Sequence, residues 1–259
     1  MLERRRSHAA AARARAAMTL RRKLLEPAWL LHHRPWSDTS RILEFMTRNR
    51  GRVTLFAHGA RRPKSPLRPV LRPFAPLLVT WSGRGDGGTL TAAEAAGPGP
   101  ALGPAALLPG YYLNELLLKL LAREDRHEAV YDAYGVALAE LATGAEAAAL
   151  RRFERMLLDE LGYGVDLTRD AASGRPLDAA GYYHFRAGRG VLAVRDAQPG
   201  PDCHAGRDLL AVARGDYGPP AAQRAARGIY GAAIAHCLEG RGLASREVML
   251  AMRRRGREA

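Results

Sequence analysis

Between Gly51 and Gly59 apolar Val53, Leu55 and Ala57 alternate with Arg52, Thr54, Phe56 and His58. A period of two is what a half-buried strand requires, and the bracketing glycines mark a turn at each end. Comparable runs occupy Ala28–Arg34, Arg41–Thr47, Leu77–Trp81 and Thr89–Glu94, with turn residues Pro35–Ser40 and Gly83–Gly88 between some of them. Five short strands in this span predict a small Greek-key barrel of the OB type. An SH3-like barrel has the same signature, and periodicity does not separate the two.

The period changes after Gly97-Pro98-Gly99-Pro100 and Gly103-Pro104. Leu113, Leu116, Leu117, Leu120 and Leu121 form one apolar stripe at helical spacing, and Val130, Tyr134, Leu138 and Leu141 form a second. A third helix carries Leu150, Phe153, Leu157 and Leu161 and ends at Gly162, a C-cap residue. Residues 162–200 are loop-rich, with a hairpin expected over Tyr182–Arg195 turning through Gly188-Arg189-Gly190. Two further helices are expected, over Ala221–Leu238 and from Ser245, read as an N-cap. The predicted fold class is α+β. An N-terminal OB-fold β-barrel covers 24–97 and a Gly/Pro linker 98–106. A mainly α-helical domain covers 107–259, with a small loop-rich/β insertion at about 164–206. Residues 1–23, with eight basic residues and one acidic, are expected to be a disordered extension. A nucleic-acid-binding arm and an organelle presequence are the functional readings of that stretch, and translation from Met18 is the plain one.

Charge divides the chain as sharply as periodicity does. Residues 1–84 hold 19 Lys and Arg against four Asp and Glu, whereas the remaining 175 residues hold 21 against 22. An Arg-rich genome would raise both parts alike, so the asymmetry points to a polyanion on the first domain. Arg48, Arg50, Arg52, Arg61, Arg62, Lys64, Arg68, Arg72 and Arg84 surround the third predicted strand, with no acidic residue from 45 to 85. Cations of this kind contact phosphates without reading sequence. Phe56 and Trp36 offer faces for base stacking, but a place in the barrel core is the expected reading for both.

Other chemistry finds little support. Cys203 and Cys237 make neither a disulfide framework nor a four-ligand zinc site, and a reducing compartment suits them. Asp202-Cys203-His204 lacks a second pair at ligand spacing, so no metal is expected. Gly83–Gly88 lacks the Gly-Lys-Ser/Thr ending and the strand-to-helix context of a phosphate loop. With neither a nucleophile elbow nor a compact carboxylate cluster, no catalysis and no cofactor are expected. No apolar run is long enough to span a membrane.

An ordered series of segments resembles the bacterial RecO family of recombination mediators. In the first domain these are Leu31–Ser40, Gly51-Arg52-Val53, Gly59–Arg62, Pro73–Leu78 and Trp81–Gly85. In the second they are Tyr112–Leu117, Leu150–Glu154, Leu161–Gly164 and Gly242–Glu247. The resemblance implies an OB-fold followed by a helical domain. It also implies binding of single- and double-stranded DNA and annealing of complementary strands. Recruitment through the acidic C-terminal tail of the single-strand DNA-binding protein, pairing with RecR and loading of RecA are implied as well, in the bacterial cytoplasm at the nucleoid. Many relatives carry a four-cysteine zinc site in the insertion, where this chain has Cys203 alone, so the resemblance is to the zinc-free branch. For the tail it implies an apolar groove edged by arginine at Leu150, Arg151, Arg152 and Leu157, with Arg151 foremost. The plain alternative for these arginines is a solvated helix edge. For the whole chain the alternatives are an RNA-binding or ribosome-associated OB protein, and a nuclease or ligase fragment.

Overall fold

A computed structural model describes residues 25–83, 87–194, 200 and 202–258. The extension expected at 1–23, and Arg84, lie outside the described residues. The chain forms two compact units, one reaching to Gly99 and including Ala122–Arg126, the other comprising Pro100–Leu121 and the residues from His127 onward.

The first unit is a closed five-stranded barrel. β1 (Glu26–Pro35), β2 (Arg41–Thr47), β3 (Gly51–Ala57), β4 (Pro76–Ser82) and β5 (Gly88–Ala95) follow one another in sequence. Around the barrel the order is β1-β2-β3-β5-β4. β1 closes on β4 antiparallel, and β3 meets β5 in a short parallel pairing at Leu55–Gly88 and Phe56–Thr89. This is the OB arrangement. The expected alternation in β3 holds: Val53, Leu55 and Ala57 are buried, and Arg52, Thr54 and Phe56 between them are partly exposed on the outer face. Leu30, Leu43, Phe45, Leu77, Val79 and Leu90 complete the core with them. The long connection from β3 to β4 adds Ala60 and Leu71 to that core, so its basic residues ride on a segment anchored by apolar ones.

Segment 122–126 lies beside β3. The Glu124 N–H donates to the Arg52 carbonyl at 2.9 Å. At Gly51 φ is +68°, and a Cβ there would fall 1.7 Å from the Asp125 carbonyl oxygen. Glycine at this position serves both the turn and the close approach.

The second unit is built from α1 (Pro104–Leu120), α2 (Glu128–Ala142), α3 (Glu146–Glu160), α4 (Gly206–Ala213), α5 (Pro220–Cys237) and α6 (Ala244–Glu258). α1 starts at Pro104, ahead of Leu107, because proline at the first helical position forfeits no hydrogen bond. α3 ends as expected. Gly162 is left-handed at φ +79°, and the Tyr163 N–H reaches back to the Leu158 carbonyl at 2.8 Å. The buried Tyr134 hydroxyl donates to Asn114 Oδ1 at 2.5 Å, and the Tyr134 ring meets Phe153 edge-on at 6.3 Å. The hairpin in the insertion forms as β6 (Tyr182–Arg186) and β7 (Gly190–Ala193), joined by β8 (His204–Ala205) in the order β7-β6-β8. β8 and α4 were not foreseen from the sequence.

Candidate nucleic-acid interface and a basic groove

The cations that cluster in sequence around β3 separate in space. Arg48 and Arg50 lie on the tight connection between β2 and β3, which is firmly held. Asn49 donates through its backbone and side chain to Glu26 at 2.6 and 3.2 Å, and the Thr47 hydroxyl donates to the Gly51 carbonyl at 2.8 Å. Arg61, Arg62, Lys64, Arg68 and Arg72 are all exposed on the connection from β3 to β4. Seven residues of β3 separate Arg50 from its far end, roughly 20 Å at about 3.3 Å per residue. The set therefore supplies two stations along one strand.

Arg52 belongs to neither. Its guanidinium pairs with Glu44 at 3.2 Å, and Glu44 also takes the Thr54 hydroxyl at 3.0 Å and Arg123 at 3.3 Å. A carboxylate on the outer face of β2 thus holds Arg52 against the barrel wall.

At the Ala57 end of β3 the connection from β1 to β2 carries Trp36. The core expectation fails here: Trp36 is 58% exposed, and Phe56 faces outward beside it at 5.3 Å in a T-shaped contact. The reason is positional. Pro35 ends β1, so Trp36 stands on a turn closed by its own N–H to the Ser40 carbonyl at 3.1 Å, while Phe56 occupies an outward register position opposite Ile42. Arg61 binds the same turn, its backbone N–H donating to the Thr39 carbonyl at 2.9 Å and its guanidinium to the Ser37 carbonyl at 2.8 Å.

In the helical unit a groove of about 330 Å³ opens between α3, α5 and α6. Leu150, Tyr112 and Met249 give it apolar wall, and Arg151, Arg224, Arg227 and Arg246 give it positive charge. Glu154 sits beneath, 1% exposed, accepting the Tyr112 hydroxyl at 2.7 Å and the Arg151 guanidinium at 2.5 Å. Burial pushes the Glu154 carboxyl upward, and Arg151 and Tyr112 pull it back only in part. Burial, followed by the charge of Glu154, also drives the Tyr112 hydroxyl well above the ordinary tyrosine range.

Of the groove residues expected from sequence, Leu150 and Arg151 line it, but Arg151 is largely buried and committed to Glu154. Arg152 points elsewhere and pairs with Glu140 at 3.0 Å, and Leu157 is fully buried core. The exposed cations of the groove are Arg224 and Arg227 on α5. Sequence reasoning passed over them, although their spacing of three places both on one face of a helix. Among the described residues no group of three or more His, Cys, Asp or Glu is placed to hold a metal ion, and no helix is long and apolar enough to cross a membrane.

A basic OB barrel followed in one chain by an arginine-edged helical unit defines an architectural class. Comparison with known proteins narrows it. Residues 21–98 match the family model described as recombination protein O N terminal, and residues 104–246 match recombination protein O C terminal. The chain is 43% identical to the DNA repair protein RecO of Aromatoleum aromaticum over 86% of its length and 94% of that protein. It is also 43% identical to the RecO of Azoarcus sp., over the same shares of the two chains. To the RecO of Ralstonia nicotianae it is 40% identical, over 91% of this chain and 87% of that one. The chain belongs to the recombination protein O family.

Proposed function

We propose that this protein is a non-catalytic mediator of recombinational DNA repair. The barrel holds single- or double-stranded DNA by its phosphates and promotes annealing of complementary strands. The groove on the helical unit takes the acidic tail of the single-strand DNA-binding protein, and with RecR the protein helps RecA load onto the coated strand. It acts in the bacterial cytoplasm, at the nucleoid. The observation that carries the reading is the division of labour within one chain: two cationic stations along β3 suit a polyanion, and an apolar groove with four arginines suits a short acidic chain end. Phosphate contacts leave bases unread and able to pair, which is what annealing requires.

The test is annealing of complementary strands coated with the cognate single-strand DNA-binding protein, with EDTA and without ATP. Arg224→Glu with Arg227→Glu is expected to abolish annealing of coated strands and spare naked ones. Failure of the wild type on both kinds of strand, with tight binding to structured RNA, would replace this reading with an RNA-binding one. Loss of the DNA itself when metal is added would revive a nuclease.

A further inference from the structure

Trp36 is a costly residue to leave in water, and Trp29, seven positions earlier, is only 8% exposed where Trp36 is 58%. Its surroundings hold it there. The turn carrying it is closed by the Trp36–Ser40 hydrogen bond and tied twice to Arg61. In a T-shaped contact one ring's edge meets the other's face, so whichever way the Trp36–Phe56 pair is arranged, at least one indole face is not covered by Phe56. Glycine at 87 leaves the Phe56 ring uncrowded, since a Cβ there would come within 3.3 Å of it. Exposed Arg34, Arg61 and Arg62 flank this corner, and Asp38 is the acid of the same turn, so cations prevail.

We infer that Trp36, backed by Phe56, is a stacking site for an unpaired nucleobase, with Arg61 beside it for the adjoining phosphate. The inference rests on the DNA-binding reading above and adds to it a preference for single strands. Phosphate contacts serve a duplex and a single strand alike, but only a single strand can place a base face on the indole. A mediator built in this way grips an unpaired strand at one base and leaves its neighbours free to pair.

The full-length chain would be titrated with oligodeoxythymidine of about 16 nucleotides, the upper range of an OB-fold site, and with a duplex of equal length. Intrinsic tryptophan emission and the anisotropy of a labelled strand would both be followed. The single strand is expected to quench Trp36 emission. Trp36→Ala is expected to abolish that quench and weaken single-strand affinity about 5- to 150-fold, with duplex affinity unchanged within about twofold. Trp36→Phe, which keeps an aromatic face, is expected to retain most of the affinity. Equal loss on both DNAs would overturn the inference, because it would mark Trp36 as merely shaping the turn. No loss on either would also overturn it and assign the ring to a protein partner. A wild type that binds neither DNA strikes at the DNA-binding reading itself, a result that no Trp36 variant can produce.

Discussion

The carboxylate of Glu115 on α1 caps the N-terminus of α6 through Ser245. It accepts the Ser245 hydroxyl at 2.5 Å and the backbone N–H groups of Ser245 and Ala244 at 2.9 Å each. Lys119, one turn along α1, pairs with Glu115 at 2.9 Å and donates to the Gly242 carbonyl. α6 opens at Ala244, so Ser245 is its second residue and not the expected N-cap; the capping acceptor is Glu115, 130 residues away in sequence. The next residue, Arg246, donates to the Gly231 carbonyl at 3.4 Å and lines the groove, so Glu115 acts as a positioning residue for that arginine.

Glu115→Gln removes a negative charge from a helix N-terminus and offers donors where acceptors are needed. A lost cap costs about 0.5–2 kcal/mol, which lowers Tm by roughly 1–8 °C for a chain of this size. The pH dependence has a definite sign. Burial favours a higher pKa for Glu115, but the bonds from Ser245, Lys119 and Ala244 outweigh it and hold the group at about 2 against an ordinary 4.5. A depressed carboxylate stabilises the fold above its unfolded pKa and loses that contribution as pH falls. Urea unfolding between pH 5 and the acid limit should show wild type converging on the variant. If the gap between them is constant with pH, the cap is not ionic.

Arg151 and Glu154 form a buried pair, and each alone is a liability. Arg151→Ala leaves a buried carboxylate with the Tyr112 hydroxyl and only the weaker influence of Arg246 and Arg227, and breaking a buried pair costs about 3–5 kcal/mol. Replacing both, with Arg151→Met and Glu154→Gln, removes the uncompensated charge and should recover much of that loss. A thermal double-mutant cycle measures the coupling, and additive losses would show that the pair is not the source. Tail-binding experiments on this groove should therefore use Arg224 and Arg227, which are exposed, with a thermal melt of each variant to check the fold.

Local periodicity made the barrel wall legible. The alternation of Val53, Leu55 and Ala57 and the leucine stripe of α1 record which way each side chain faces, and the structure agrees. Trp36 was misplaced because it follows Pro35 on a turn, where no period applies. α4 was missed because eight residues opening on Gly206 carry too few turns to display one. The barrel closure between β3 and β5, the Glu115–Ser245 cap and the Arg151–Glu154 pairing are side-chain or non-local events with no signature in spacing. Arg224 and Arg227 sit in an alanine-rich helix, where arginines usually serve as solvated surface, so only the fold shows that they face Leu150 across a groove.

Gly51→Ala tests the contact between β3 and segment 122–126. The substitution meets a left-handed backbone and the Asp125 carbonyl together, and backbone cannot yield as a flexible side chain can. A loss above about 2 kcal/mol is expected, against roughly 1 kcal/mol for alanine at Gly144, where φ is also positive but no atom lies within 4 Å. Thermal melts of the two variants make the comparison. Equal losses would mean that the positive φ alone sets the cost.

The separation of the cations into two stations predicts how DNA affinity depends on salt. Each phosphate neutralised on a single strand contributes about −0.7 to the slope of log K against log salt concentration. Arg48→Glu with Arg50→Glu removes the station at the β2–β3 turn, and Arg61→Glu with Arg62→Glu weakens the one at the far end of β3. Each pair should flatten the slope by roughly 1 to 1.5. With the stations roughly 20 Å apart by strand length, well beyond a Debye length of about 8 Å, the two effects should add in the quadruple variant. Arg52→Ala should leave the slope nearly unchanged, because Glu44 already neutralises Arg52. It should instead lower stability modestly by leaving Glu44 with Thr54 and Arg123 alone. Titrations of a single-stranded oligonucleotide at several salt concentrations would measure all four slopes. If the first pair accounts for the whole slope, DNA crosses only that end of the barrel, and the path along β3 toward Trp36 is wrong.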